Sequence, residues 1–179
     1  GDILVITFTR AAAEEMRERY EALTGGGSRV TFGTFHSIFF RILKLAYRYT
    51  ADNIVREEQQ MQFVRELAQA GGLEPEDENE FAASILSEIS SVKGERIALE
   101  HYYSKNCPDA VFRQLYAGYE EKMRRAGLID FDDMMVLCLE LFTERKDILS
   151  AWQRRYRYIL IDEFQDINRI QYDIIKMLA

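Results

Sequence analysis

A short apolar run near the carboxyl end of the chain, Tyr158-Ile-Leu-Ile161, constrains the fold most strongly. Four residues are too few for a helix, so the run predicts a β-strand buried on both faces. Two carboxylates, Asp162 and Glu163, follow at once and would therefore lie at the carboxyl edge of a sheet. In open α/β sheets that edge is where ligands bind.

The two carboxylates suit a site that hydrolyses a nucleotide. Asp162 could hold Mg²⁺, directly or through water, and Glu163 could orient and deprotonate an attacking water molecule. The alternative is a polar strand end followed by a helix cap. For the pair Asp-Glu taken alone, this structural alternative is favoured, since short motifs often occur by chance.

Two more strands are predicted near the amino end, at Ile3–Thr7 and Val30–Phe32, with a helix between them. The intervening run Ala11–Tyr20 is rich in strong helix formers. Strand, helix and strand in this order predict a βαβ unit, and such units build parallel sheets. The predicted apolar helix face consists of Ala12, Met16 and Leu23, and the predicted stop signal is Gly25-Gly-Gly27.

The turn Thr7-Phe-Thr-Arg10 joins the first strand to this helix. Free backbone amides and the positive end of the helix dipole suit a phosphate there. Phe8 is well placed to stack on a base. The alternative is that Phe8 lies at the edge of the core and Thr9 caps the helix.

A second strand-to-helix turn, Gly33-Thr-Phe-His-Ser37, follows the second strand. Thr34, His36 and Ser37 supply small hydrogen-bonding groups that suit a phosphate backbone. Taken alone, His36 is more typical of a structural cap, and Phe35 is more typical of core.

From Ile38 the pattern is helical for about ninety residues. This block separates the early strands from the late one, so it predicts an α-helical subdomain at residues 46–127, inserted into an α/β domain of residues 1–45 and 128–179. Asp130 is predicted to cap the helix that follows. The apolar positions at helical spacing are Ile38, Ile42, Leu45, Met61, Val64, Leu67, Phe81, Ile85, Ile89, Phe112, Leu115, Tyr119 and Met123. Lys93, Arg96, Lys122, Arg124 and Arg125 could guide DNA across the block, although solvated helix charges are the favoured interpretation.

Composition narrows the class of protein. The net charge is −7, which argues against a general basic surface that coats nucleic acid, but not against a narrow groove. No apolar run approaches the roughly 20 residues of a membrane span, and the amino end lacks signal-peptide character. Cys107 and Cys138 have no metal-site spacing, so we expect reduced thiols in a cytoplasmic protein.

Three of these segments together resemble motifs of the UvrD/Rep/PcrA family of superfamily 1 DNA helicases. Asp162-Glu-Phe-Gln-Asp-Ile-Asn168, with Gln171 one turn later, is similar to motif II, although Ile167 stands where threonine is usual. Ile6–Met16 is similar to motif Ia, with Arg10-Ala11 in place of the usual Asn-Lys. The turn at residues 33–37 is similar to motif Ib.

The resemblance implies a partial RecA-like parallel sheet of the P-loop NTPase type with an inserted helical subdomain. It further implies an ATP-dependent DNA helicase or translocase that moves 3′ to 5′ on single-stranded DNA in repair or recombination, with ATP and Mg²⁺. By the resemblance, Asp162 binds Mg²⁺, Glu163 activates water and Gln165 couples the nucleotide to movement. The implied DNA track comprises Phe8, Thr9, Arg10, Thr34, His36 and Ser37.

The sequence contains no P-loop of the form Gly-x-x-x-x-Gly-Lys-Ser/Thr, which a helicase motor needs to hold phosphates. We therefore expect a fragment of the first motor domain, inactive as an ATPase by itself, whose partners are single-stranded DNA, ATP and the remaining helicase domains, with no membrane. Two alternatives stay open. One is a fragment of an AddA/RecB-type helicase-nuclease subunit, and the other is a non-enzymatic DNA-binding module.

Overall fold

The computed structural model describes residues 1–26 and 29–179. Gly27, the last glycine of the predicted helix stop, lies outside the described residues, as does Ser28. The chain divides into two compact units. Gly1–Arg48 and Met134–Ala179 form the first, here called the α/β unit, and Tyr49–Asp133 forms the second, here called the helical unit.

The division of the chain into a motor domain and an inserted subdomain at residues 46–127 stays a prediction.

None of the described helices combines the length and the apolar character that a membrane crossing requires. Cys107 and Cys138 are free thiols, and burial raises the pKa of both.

The α/β unit contains a parallel sheet with strand order β2-β1-β3, so the predicted α/β class is confirmed. The predicted strand at Ile3–Thr7 has the observed bounds. The elements of this unit are β1 (Ile3–Thr7), α1 (Arg10–Thr24), β2 (Val30–Thr34), α2 (Phe35–Ala46), most of α6 (Phe131–Glu144), α7 (Lys146–Arg155), β3 (Tyr158–Ile161), a 3₁₀ turn (Phe164–Asp166) and α8 (Arg169–Leu178).

The central position of β1 follows from its sequence. Leu4 and Ile6 are fully buried, as expected for a strand with a neighbour on each side. Ile3 is paired in register with Val30 on one side and with Tyr158 on the other. Because all three strands are parallel, their carboxyl ends lie at the same edge of the sheet.

The prediction that β3 is buried on both faces is wrong. Tyr158 is 64% exposed and Leu160 57%, whereas Ile159 and Ile161 are half-buried. Within the described sheet β3 is an edge strand that pairs with β1 alone. Successive side chains of a strand point to opposite faces, so one face of β3 is covered and the other is open.

Two apolar positions assigned to buried helix faces are also exposed. Leu23 is 86% exposed and Leu45 is 71% exposed. Each lies in the last turn of its helix. In α1 the contact with the sheet ends earlier, at Tyr20, whose ring lies 5.9 Å from that of Phe32. The helical spacing therefore continues beyond the surface that could cover it.

The helical unit packs three long helices around one core. The predicted apolar stripe Phe112, Leu115, Tyr119 and Met123 is entirely buried, which confirms that prediction. Gly118 lies at a close helix crossing, because a Cβ there would lie 2.6 Å from Leu67 Cδ2. The elements are a 3₁₀ turn (Ala51–Asn53), α3 (Glu57–Ala70), α4 (Glu78–Gly94), a second 3₁₀ turn (Leu99–His101), α5 (Asp109–Ala126) and the start of α6.

Asp130 caps α6, as predicted. Its carboxylate accepts the Asp133 backbone N–H at 2.7 Å, and the Asp133 carboxylate accepts the Asp130 backbone N–H at 3.0 Å. Both interpretations of Lys93, as a guide for DNA and as a solvated helix charge, are wrong, because the side chain is buried. Its Nζ is buried 2.7 Å from Glu120 and Asp133 and 3.1 Å from Asp130. We call these four side chains the Lys93 network.

The remaining cations proposed to guide DNA differ from Lys93. Lys122 pairs with Glu66 at 2.6 Å, and Arg124 and Arg125 both pair with Glu121. Arg124 and Arg125 are exposed, which agrees with the favoured interpretation as solvated helix charges.

Candidate functional site at the carboxyl edge of the sheet

The carboxyl ends of the three strands bring the predicted site residues to one edge. Thr34 ends β2, Thr7 ends β1, and Asp162 directly follows β3. Neighbouring strands lie roughly 4.8 Å apart, so the three segments follow one another within a short distance. The Asp162 backbone N–H donates to the Ile6 carbonyl oxygen at 2.9 Å, which extends the β1–β3 pairing by one residue.

The acidic segment after β3 holds its two carboxylates in different surroundings. Asp162 is half-buried, whereas Glu163 is exposed. The Gln165 amide donates to Glu163 Oε2, so two residues predicted to act in catalysis touch each other. Neither carboxylate forms an ion pair with a lysine or arginine within residues 1–26 and 29–179. Both therefore keep oxygen atoms available for a ligand.

The backbone at Glu163 adopts a left-handed conformation, with φ 51° and ψ 47°. Residues with a Cβ seldom adopt it, and it costs of order 1 kcal/mol or more. The turn directs the chain from β3 into the 3₁₀ segment within one residue, and it leaves the Glu163 side chain in solvent.

The residues of this segment are suited to Mg²⁺ and not to a metal ion whose ligands all come from protein side chains. No group of three or more histidine, cysteine, aspartate or glutamate side chains in the described part of the chain is arranged to hold a metal ion. Mg²⁺ is usually held by one or two carboxylates, with water and substrate phosphates completing its octahedron. The half-buried Asp162 with Glu163 beside it supplies such a set.

Asn168 and Gln171 have a structural role at the start of α8. The Gln171 backbone N–H donates to Asn168 Oδ1 at 3.0 Å, and the Asn168 backbone N–H donates to Gln171 Oε1 at 3.1 Å. This reciprocal cap satisfies two free amides of the helix start. It fixes the distance between the acidic segment and α8.

Phe8 lies in the turn after β1 and is 39% exposed. Its ring centre is 5.5 Å from that of Phe35, which is buried as expected of a core residue. One face of Phe8 is thus supported by the core while part of the ring stays in solvent. An aromatic ring held in this way can stack on a base without further ordering.

Three of the predicted DNA-contact residues also cap helices. Thr9 Oγ1 accepts the Ala12 backbone N–H at 3.1 Å at the start of α1. Thr34 Oγ1 accepts the Ser37 N–H at 3.2 Å, and Ser37 Oγ accepts the Thr34 N–H at 2.9 Å at the start of α2. His36 is half-buried, and burial lowers its pKa, which favours the neutral imidazole.

A cavity of about 350 Å³ separates the start of α1 from the start of α2. Its polar lining brings residues of both predicted DNA segments together. Gly33 lets α2 approach β2, since a Cβ there would lie 2.8 Å from Ser37 Oγ. The principal lining residues are Arg10, Glu14, Arg17, Gly33, Thr34 and Ser37.

Arg17 is a candidate that the sequence interpretation missed. Arg10 already pairs with Glu14 at 2.9 Å, whereas Arg17 forms no ion pair within the described ranges. Positions 10, 14 and 17 recur at helical spacing and therefore share a face of α1. That spacing was the available signal.

Comparison with known proteins bears on this arrangement. The profile of the UvrD/REP helicase N-terminal domain matches residues 1–179. The chain is 38% identical to the putative ATP-dependent DNA helicase YjcD of Bacillus subtilis, over 99% of this chain and 24% of the relative. It is 35% identical to the ATP-dependent DNA helicase PcrA of Bacillus subtilis and 35% identical to DNA helicase II of Escherichia coli, in each case over 99% of this chain and 25% of the relative. The chain thus spans about a quarter of the length of these curated relatives.

Proposed function

The chain belongs to the UvrD/REP helicase family, and we propose that it forms part of an ATP-dependent DNA helicase that moves 3′ to 5′ on single-stranded DNA in repair or recombination. One observation carries the proposal. A single sheet edge presents carboxylates that have no ion-pair partner among the described residues, next to two turns that offer an exposed aromatic ring and hydrogen-bonding groups. The activity is assigned to the whole protein of which this chain forms a part.

In the proposed mechanism the acidic segment handles the nucleotide. Asp162 would hold Mg²⁺, which when bound neutralises charge on the nucleotide phosphates. Glu163 accepts a proton from the attacking water, for which its exposed carboxylate is accessible. Gln165 holds the Glu163 carboxylate through their hydrogen bond. Through this contact, Gln165 would couple the state of the nucleotide to movement along DNA.

The two turns after β1 and β2 form the proposed DNA track. Phe8 stacks on a base, while Arg10 and Ser37 contact phosphates from the cavity that they line. Thr9, Thr34 and His36 complete the track. Because Thr9 and Thr34 already cap helices, their hydroxyl groups and the adjacent helix amides meet the backbone as a fixed surface.

The test is DNA-stimulated ATP hydrolysis in the whole helicase and in the 179-residue chain. In the whole enzyme, Glu163→Gln is expected to lower turnover by roughly a thousandfold while leaving DNA binding intact, since loss of a positioned general base costs about 10²–10⁴. The 179-residue chain is expected to show no turnover with or without the substitution.

Glu140→Gln is the matched control, because it removes an exposed carboxylate from the same unit away from the sheet edge. Retention of turnover in Glu163→Gln would show that another residue activates water. ATP turnover by the 179-residue chain that is lost in Glu163→Gln would overturn the expectation that this segment needs a P-loop.

A further inference from the structure

A second polar concavity lies at the opposite edge of the sheet. It has a volume of about 600 Å³ and is lined by Ser150, Gln153, Arg154 and Arg157, here called the arginine cleft. Arg157 directly precedes β3, whereas Asp162 directly follows it. Five extended residues span roughly 16 Å, so the arginine cleft is separate from the candidate site.

Within residues 1–26 and 29–179, the two arginines of the cleft have no carboxylate at ion-pair distance, although Asp2 directly precedes the neighbouring strand β1, where its carbonyl oxygen accepts the Tyr158 N–H at 3.0 Å. Arg154 and Arg157 are exposed, and neither forms an ion pair with a carboxylate in the part of the chain that the structure describes. The one carboxylate of α7, Asp147, is held by Arg145 through hydrogen bonds of 2.9 and 2.7 Å. An anion that enters the cleft therefore meets two free guanidinium groups.

The wall of the cleft is held rigidly. The Gln153 amide donates to the Met177 carbonyl oxygen of α8 at 2.9 Å. The Arg155 guanidinium lies 5.5 Å from the ring of Trp152 and 5.4 Å from that of Tyr156, and both rings are buried. These contacts fix the carboxyl end of α7, so binding of a ligand orders the side chains of Arg154 and Arg157 but not the backbone that carries Arg154.

Helix electrostatics explain only part of this charge. Cations in the last turn of a helix complement its dipole, which accounts for Arg154 and Arg155. Arg157 lies beyond the end of α7, next to the first residue of β3, and the dipole does not account for it.

We propose that the arginine cleft binds phosphate groups of a nucleic-acid backbone, as a contact separate from the DNA track. Guanidinium groups bind phosphate through paired hydrogen bonds. In the described part of the chain, the four residues that line the cleft have polar or charged side chains, and none is an apolar anchor of the kind that a protein partner would need. Arg157 also lines a neighbouring cavity that includes Ile159 and Phe164, but no aromatic ring among the described residues lines the cleft itself, so the contact does not depend on sequence or on strandedness.

This inference rests on the proposed function, because that function places DNA on the same unit. The arginine cleft and the DNA track are expected to differ in their preference for single-stranded or duplex DNA. The track, through Phe8, favours single strands, whereas the arginine cleft contributes equally to single-stranded and duplex DNA.

The experiment measures binding of labelled single-stranded and duplex oligonucleotides to the 179-residue chain by fluorescence anisotropy at several salt concentrations. For Arg154→Gln/Arg157→Gln we expect affinity for both ligands to fall about tenfold at low salt, and the slope of log affinity against log salt to fall by roughly 1.5. The control Arg124→Gln/Arg125→Gln removes the same charge from the helical unit and should leave both quantities unchanged. Arg154→Lys/Arg157→Lys should restore the slope, because the charge is kept.

Unchanged affinities and slopes in the glutamine pair would overturn the inference. If Phe8→Ala still weakened single-strand binding in that case, the proposed function would stand. Wild-type chain that binds neither oligonucleotide would overturn both. Tighter binding of a polyglutamate peptide than of duplex DNA, lost in the glutamine pair, would assign the cleft to an acidic protein and also overturn the inference. A thermal melt of each variant checks folding. If the glutamine pair is unfolded, the single variants Arg154→Gln and Arg157→Gln supply the result, each with about half of the expected change in slope.

Discussion

The two units of this protein use charge in opposite ways. The α/β unit has 14 lysine and arginine residues against 12 aspartate and glutamate residues, a formal charge of +2. The helical unit has 9 against 18, a formal charge of −9, and the two values add to the −7 of the chain. The acidic total is therefore a property of one unit, and the surface proposed to meet DNA belongs to the other.

Two acidic segments of similar sequence make the contrast local. Asp130-Phe-Asp-Asp133 and Asp162-Glu-Phe-Gln-Asp166 each pair carboxylates with a phenylalanine, the first across the start of α6 and the second shortly before α8. In the helical unit, the Asp130 and Asp133 carboxylates accept hydrogen bonds from each other's backbone N–H groups and from Lys93. In the α/β unit, the Asp162 and Glu163 carboxylates stay accessible. The comparison shows that burial and available partners, not the acidic pattern, separate a structural segment from a ligand-binding one.

The largest expected effect is a loss of stability of the helical unit when the Lys93 network is disrupted. Lys93→Ala leaves three carboxylates without their buried cation, and we expect the free energy of unfolding to fall by about 3–5 kcal/mol. Chemical denaturation followed by circular dichroism measures this. Lys122→Ala is the control, because its ion pair with Glu66 is part-exposed and should contribute less than about 1 kcal/mol. Equal losses in the two variants would contradict a special role for the network.

A pH titration sharpens the same contrast. Burial, together with the neighbouring Asp130 carboxylate, raises the pKa of Asp133 to about 6 despite Lys93, against roughly 3.9 in an unfolded chain. The folded state then binds the proton more tightly, so this group lowers stability as pH rises from 4 to 6. Between pH 6 and pH 4 the wild type should gain roughly 2 kcal/mol relative to Asp133→Asn.

The α/β unit supplies a control of opposite sign for this titration. A hydrogen bond from Arg145 lowers the pKa of the exposed Asp147, so its contribution is present above pH 4 and is lost on acidification. Wild type should therefore lose stability relative to Asp147→Asn as pH falls. Slopes of the same sign in the two comparisons would show that the Asp133 carboxyl is not perturbed as its burial requires.

Removal of an exposed ring tests which unit meets DNA. Phe8→Ala is expected to weaken single-stranded DNA binding about tenfold, because stacking of one base contributes roughly 1–3 kcal/mol. Tyr103→Ala removes a ring that is 72% exposed on the helical unit and should change nothing. Fluorescence anisotropy measures both. Weaker binding in Tyr103→Ala alone would move the DNA contact to the acidic unit and reverse the comparison.

The smallest effect concerns two left-handed backbone positions, Glu163 in the α/β unit and Arg96 in the helical unit. Glycine adopts this conformation without a Cβ clash, so each change to glycine should raise the free energy of unfolding by about 0.5 kcal/mol. Thermal melts detect the gain. In the whole helicase only Glu163→Gly should also abolish ATP hydrolysis. A loss of stability at Glu163 would mean that its side chain contributes to the fold.

The sequence predicted the strands and the buried α5 stripe because hydrophobic spacing is local information. It failed at Tyr158 and Leu160, since burial on both faces requires neighbours that an apolar run cannot specify by itself. The prediction for Lys93 was wrong because the sequence does not show that the residue has buried partners. Its carboxylate partners lie 27 to 40 residues away along the chain, and helical spacing does not indicate which residues converge across a core.

The candidate site was predictable where the end of a strand is followed directly by a turn, as at Phe8 and Asp162. Arg17 was missed because it lies two turns into α1, and only the position of α2 shows that it faces the same cavity as Thr34. The arginine cleft was missed because its members come from a helix end and from the residue before a strand.

The pairing of β1 on both sides has a mechanical consequence. A pull on Phe8 along the axis of β1 loads the hydrogen bonds to β2 and to β3 in shear, so they resist together instead of breaking one after another. Because the Asp162 N–H is bonded to Ile6, tension applied at Phe8 reaches the acidic segment through the backbone. The carboxyl end of β1 thus couples the turn at Phe8 mechanically to the acidic segment beside it.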